Sequence, residues 1–150
     1  MTAQQSRRIQ EVPTHSTSNV DVQCVIAVTE VEALAMSSGE IDRYFAILAD
    51  DAVFLPPSTT AKRGQELRLW LKDFLDHFGV QWLRFAHGET VVAGDLAYHE
   101  YEYSMMSTPR TGGEPAISHG KGLHVLRREP DGAWKVVRNV WNSVPAPGAK

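Results

Sequence analysis

The stretch Gly120–Ser143, GKGLHVLRREPDGAWKVVRNVWNS, decides how the chain folds. Its centre, Pro130-Asp131-Gly132-Ala133, is turn chemistry, because proline pre-sets φ and glycine accepts positive φ. The flanks alternate apolar and polar side chains, so the sequence predicts a β-hairpin of strands 117–129 and 134–143. Pairing Pro130 with Ala133 sets Glu129 opposite Trp134, Leu126 opposite Val137, His124 opposite Asn139 and Gly122 opposite Trp141. One face then carries Gly122, His124, Leu126, Val137, Asn139 and Trp141. An asparagine beside a tryptophan suits neither open solvent nor a sealed core, whereas a half-polar pocket wall accepts both. The opposite face, with Leu123, Val125, Val136, Arg138 and Val140, is also mixed, so hydrophobicity alone does not choose the inward one.

Upstream of the hairpin, strands 80–93 and 96–106 are joined at Gly94-Asp95, a two-residue turn that sets Glu89 opposite Glu100. In the second of these strands Ala97, His99, Tyr101, Tyr103 and Met105 share one face. Glu100 and Glu102 share the other, which gathers acids and suits solvent. Residues 107–115, STPRTGGEP, read as a flexible loop. Before the sheet come three helices. The first runs from Val20 to Met36 and stops at Ser37-Ser38-Gly39. The second, Glu40 to Ala49, buries Ile41, Tyr44, Phe45 and Leu48 at helical spacing. A short strand, Asp50–Pro57, ends at two prolines. The third helix, Gln65 to Phe78, carries Leu67, Trp70, Leu71, Phe74 and Leu75. Three helices followed by a long meander predict an α+β fold, helices on one face of a curved sheet.

Composition bounds the function. The 150 residues are 43% hydrophobic and 22% charged, one domain's worth with a real core. Residues 1–19 are polar and read as a flexible tail, 20–145 as one domain, and 146–150 as a second tail. A net charge of −3, with no basic run longer than two residues, argues against nucleic-acid binding. No apolar run approaches the ~18 residues a membrane span needs, and the N-terminus lacks the apolar stretch of a signal peptide. Cys24 has no partner for an internal disulfide, so a cytoplasmic location is expected, with Cys24 packed on its helix.

The segment Ser37–Leu71, SSGEIDRYFAILADDAVFLPPSTTAKRGQELRLWL, together with the Gly120–Ser143 hairpin, resembles the SnoaL-like and ketosteroid-isomerase-like proteins. These belong to the nuclear-transport-factor-2-like superfamily, and the resemblance spans about residues 20–145. It implies a cone-shaped α+β barrel: three helices over the concave face of a strongly curved, mostly antiparallel sheet, enclosing a deep pocket, often in a homodimer. Counted from the hairpin glycine, here Gly132, the pocket tryptophan of ketosteroid isomerases falls on Trp141 and their oxyanion donor acid on His124. The resemblance thereby makes the Asn139 face the concave one. Its departures are equally informative. The isomerases' proton-shuttling base falls on Pro56, their oxyanion tyrosine on Glu32, and the aspartate of SnoaL-type cyclases on Asn139.

Three candidates for chemistry follow. A histidine such as His124 can donate or accept a proton, Asn139 across the strand is placed to fix its tautomer, and Glu32 joins them if the first helix turns it inward. The plainer alternative is a hydrogen-bonded core histidine and a glutamate on an exposed helix face. Trp141, Tyr101, Tyr103, His99, Trp70, Phe74 and Phe54 are the expected substrate-binding walls, or simply packed aromatics. His99, His119 and His124 make no metal site, since His119 and His124 point to opposite faces. No phosphate loop is present and no cofactor is expected. The leading expectation is a cofactor-independent acid–base enzyme of isomerase, cyclase or dehydratase (lyase) type. Its partner would be a hydrophobic, oxygen-bearing small molecule, polyketide- or terpenoid-like, in biosynthesis. The alternative is a non-catalytic ligand-binding or dimerisation domain of the same fold.

Overall fold

Helix α1, Asn19–Ser38, opens the computed structural model, which describes residues 19–148. The expected N-terminal tail lies outside the described residues except for Asn19. Gly39, at φ +73°, ends α1: its N–H reaches the Met36 carbonyl and the Glu40 N–H the Ala35 carbonyl, a Schellman closure that needs a left-handed residue. Helix α2, Ile41–Ala46, is shorter than its periodicity predicts. The sheet takes over at Leu48, which pairs in parallel with Val136, while the Val136 N–H donates to the Ile47 carbonyl at 2.9 Å. Leu48 and Ala49 are thus buried strand residues, not helix.

Strand β1, Leu48–Leu55, runs to Pro56-Pro57, and a two-residue strand β2, Lys62–Arg63, folds back on Val53 and Phe54. That short strand leaves no periodic trace in sequence. Helix α3, Gly64–His77, leads into β3, Phe78–Ala93, β4, Leu96–Pro109, β5, Ala116–Arg128, and β6, Trp134–Ser143. Ser107 to Pro109, expected in a loop, extend β4 because they pair with Val80, Gly79 and Phe78. The six strands lie in the order β2-β1-β6-β5-β4-β3, all neighbours antiparallel except β1 and β6. Register shifts at two points in β3, one in β1 and one in β6 mark bulges, which bend a sheet.

The β5–β6 register corrects the sequence reading in an instructive way. The turn closes at Glu129 and Ala133, not at Pro130 and Ala133. Arg128 therefore faces Trp134 and Leu126 faces Val136, where Glu129 with Trp134 and Leu126 with Val137 were expected. A bulge at Val137 then absorbs one residue, and His124 opposite Asn139 and Gly122 opposite Trp141 stand as read.

Helix α1 lies against β3, β4 and β6, and α3 against β1, β2 and β3. One core joins them: Val25 and Ala35 of α1, Tyr44, Phe54, Leu67 and Leu71, and Leu126 and Val136 of the hairpin. Cys24, expected to pack inward, is exposed, because the buried stripe of α1 runs through Val25, Thr29, Glu32 and Ala35 instead. Among the described residues, no helix is long and apolar enough to cross a membrane.

Candidate functional site

The concave face encloses a cavity of about 300 Å³ with aromatic walls. Trp141 anchors one side, edge-on to Phe54 at 6.1 Å between centroids and 6.2 Å from Trp70. Tyr101, Tyr103, Phe74 and the β3 rings Trp82 and Phe85 form the rest, and Pro56-Pro57 closes over it. Among the described residues that line this cavity, Glu32 is the sole charged side chain.

Glu32 arrives there by helical geometry. Val25, Thr29, Glu32 and Ala35 are spaced by four, three and three residues, one buried stripe of α1. Only 8% of Glu32 is exposed, so its carboxylate depends on protein donors. Its Oε1 accepts the Tyr44 hydroxyl at 2.8 Å and the Asn139 Nδ2 at 3.3 Å. The Asn139 Oδ1 accepts the Tyr101 hydroxyl at 2.7 Å, and this network assigns which way the amide points. Burial, followed by the Glu32 charge, pushes the Tyr44 and Tyr101 phenols well above their ordinary value, so both stay donors. The remaining oxygen, Oε2, lies 2.9 Å from His124 Nε2, an ion-pair distance without the alignment of a hydrogen bond. Oε1 thus carries both hydrogen bonds, and Oε2 carries none.

Tyr101 reaches Asn139 only by crossing β5. Gly122, its direct partner on that strand, lies beneath the phenol ring, and a Cβ there would stand 2.5 Å from Tyr101 Cζ and Oη. Gly120 plays the same part under Tyr103. Tyr103 and Ser118 line the cavity, and no side-chain hydrogen bond holds their hydroxyls among the described residues. They are donors available to a ligand oxygen.

The structure gathers Asn139, Glu32, Trp141, Tyr101, Tyr103, Trp70, Phe74 and Phe54 on one cavity. It does not put His124 or His99 on its wall. His124, 1% exposed, sits behind Glu32 and stacks on Tyr101 at 4.5 Å, so the residue expected on the cavity wall instead backs one that lines it. Asn139 orients Glu32, not the His124 ring as expected. His99 is fully buried, its Nε2 bonded to His87 Nδ1 at 2.8 Å. Sequence reasoning missed Tyr44, Trp82, Phe85 and His87. Among the described residues, no group of three or more His, Cys, Asp or Glu is arranged to hold a metal.

Burial, with His124 and His87 adding to it, lowers His99 from 6.5 to about 4. Between those values the unfolded chain binds more protons than the folded one, so stability rises with pH. The contribution of neutral His99 is complete above the unfolded value and is lost as pH falls through that window. Urea midpoints should drop between neutral pH and about pH 4, and less steeply in His99→Gln. Parallel slopes for the two proteins would contradict this.

The curved sheet, its three helices and the cavity beneath them define a class, and comparison with known proteins places the chain in it. The chain belongs to the SnoaL-like family: the SnoaL-like domain matches residues 28–138. No functionally curated protein matches it at the sequence level. Among solved structures it is similar to a ketosteroid isomerase-like protein from Erwinia carotovora atroseptica, with 20% identity and a TM-score of 0.78, covering 86% of this chain and 100% of that one. It is also similar to a candidate dehydratase of the NTF2-like family from Streptomyces avermitilis, at 21% identity and TM-score 0.73, covering 85% and 98%. A candidate scytalone dehydratase from Novosphingobium aromaticivorans follows at 12% identity and TM-score 0.70, covering 84% and 85%. At such identities the likeness shows the fold alone.

Proposed function

We propose that the cavity is a cofactor-independent acid–base active site acting on a flat, hydrophobic, oxygen-bearing small molecule, in an isomerisation, cyclisation or dehydration. One observation carries this reading: among the described residues, the sole charged group lining the aromatic cavity is a buried carboxylate held by two donors on one oxygen. A carboxylate in that setting takes a proton from a carbon acid and returns it elsewhere, the step these three reactions share. The Tyr103 and Ser118 hydroxyls support the charge that develops on the substrate oxygen. His124 stabilises the carboxylate from behind and is a positioning residue in this reading. The names of the structural relatives, which include an isomerase-like protein and candidate dehydratases, agree with the reaction class.

The probe is 2-tetralone, a flat ketone with acidic C–H bonds beside its carbonyl. In deuterated buffer the protein should accelerate loss of those protons in NMR spectra well above the buffer rate. Binding of 2-tetralone without acceleration would favour the non-catalytic ligand-binding alternative.

A further inference from the structure

The charges around the cavity are one-sided. Among the described residues that line it, every side chain besides Glu32 is uncharged, and none is a lysine or an arginine. Cations on and beside the lining elements are engaged elsewhere. Lys62, opposite Phe54 on the paired strand, binds Glu66 at 3.1 Å, Arg68 lies over the Phe45 ring, and Arg84 meets Glu102. The two groups that hold Glu32 Oε1, Tyr44 and Asn139, are neutral donors. Its close basic neighbour is His124, whose Nε2 lies 2.9 Å from Oε2, and a neutral imidazole there orients the carboxylate without cancelling its charge. Burial, and after it the Glu32 charge, raises the Tyr44 and Tyr101 phenols, so the field of this carboxylate is felt along the cavity wall.

The wall around Glu32 is chiefly aromatic, and the face of an aromatic ring is the negative part of its charge distribution. Phe54 and Trp141 stand at 89° to one another, Trp82 and Tyr103 at 82°, and Trp70 is tilted 40° to Trp141. A guest enclosed by rings set across one another meets ring surface from several directions. Ring faces and carboxylate favour the same sign of charge in a guest, and both act more strongly where water is excluded. An ammonium gives up its hydration on entry. Glu32 and the Tyr103 and Ser118 hydroxyls, which accept as well as donate, offer acceptors in return. A carboxylate guest meets repulsion from Glu32 and no lysine or arginine on the wall to answer it.

We propose that the cavity selects its ligand by charge: it takes a hydrophobic amine in its protonated form ahead of the neutral ketone, and far ahead of an acid on the same frame. The substrate class is then an oxygen-bearing amine, and Glu32 is the counter-ion that sets the order. The proposal rests on the reading of this cavity as the ligand site, and not on turnover there. Its volume, about 300 Å³, is at the lower end of small-molecule sites and suits a frame of two fused rings. The attraction between charges needs no contact, so the ammonium can sit among the rings while Glu32 faces the reacting carbon.

The test is calorimetric titration of the whole protein with three ligands of one shape: 2-aminotetralin, 2-tetralone and tetralin-2-carboxylate. At about pH 8 an ordinary histidine is neutral, while an alkyl amine, like that of lysine, is still protonated. The wild-type protein should bind the amine about 10–30-fold more tightly than the ketone, the worth of a desolvated cation–π contact, and the acid at least about tenfold more weakly than the ketone. In Glu32→Gln the ratio of the acid and amine dissociation constants should fall by at least about tenfold. The wild-type series decides the charge order even if that variant fails to fold. A ketone bound as tightly as the amine, an acid bound as tightly as the ketone, or no binding of any of the three would overturn the proposal. An unchanged ratio in folded Glu32→Gln would take the order away from Glu32. Failure of the wild-type protein to exchange the 2-tetralone protons would strike the acid–base reading alone and leave the charge order intact.

Discussion

Glu32→Gln should lower the rate of 2-tetralone proton exchange by about 10²–10⁴-fold, the usual share of a positioned acid–base group. The substitution is close to isosteric, and its amide oxygen still accepts from Tyr44 and Asn139, whose donors hold Glu32 Oε1 at 2.8 and 3.3 Å. The cavity, its rings and the melting temperature should therefore change little. What disappears is the ability to take up a proton beside the bound ketone. A variant retaining more than about a tenth of the wild-type rate would remove Glu32 from the chemistry. His124→Gln is the useful comparison, because a residue behind the carboxylate should shift the pH profile more than it lowers the plateau rate.

Gly122→Ala should have the largest effect on the fold of the site. A Cβ at this position meets Tyr101 Cζ and Oη at 2.5 Å and the Val140 carbonyl at 2.7 Å, and the last is backbone that cannot retreat cheaply. Overpacking of this kind costs about 1–3 kcal/mol and displaces the ring. Once Tyr101 moves, Asn139 loses the donor that orients its amide, and Glu32 loses Asn139 in turn. Thermal melts and 2-tetralone exchange should thus fall together. Combining Gly122→Ala with Tyr101→Ala removes the clash with the ring, so the double variant should lose less stability than the two single changes added together. Strict additivity, or a wild-type melt for Gly122→Ala, would contradict the claim that Gly122 exists to let Tyr101 cross.

The hairpin made the fold legible. Gly132 with its neighbours marked the turn, and alternation placed His124, Asn139, Gly122 and Trp141 on one face. Those four were read correctly although the turn was placed one residue short and Val137 was set in the place of Val136, because the Val137 bulge compensates on the same strand. Depth was not legible. Strand parity says which face a side chain leaves from, but not that Glu32 of α1 stands between His124 and the cavity. Glu32 did leave a signal: it continues the stripe Val25, Thr29, Ala35 at helical spacing, which a count of apolar residues alone passes over. His87 left none. Counted straight from the Gly94-Asp95 turn it would face Glu102 and solvent. The register shift between His87 and Thr90 sets it opposite Tyr101 instead, within reach of His99. Bulges of this sort are fixed by the packing of the whole sheet, and neither composition nor period announces them.

The central claim is that Glu32 works on a ligand seated among the aromatic walls. A crystal structure of the protein with 2-tetralone bound tests it most directly. The ketone should lie between Trp141 and the Tyr101–Tyr103 wall, its oxygen within hydrogen-bond reach of Tyr103 or Ser118. A carbon beside its carbonyl should stand about 3–3.5 Å from a Glu32 carboxylate oxygen, the spacing of a reactive approach. A ketone found outside the cavity, or in the cavity with its carbonyl turned away from Glu32, would contradict the account.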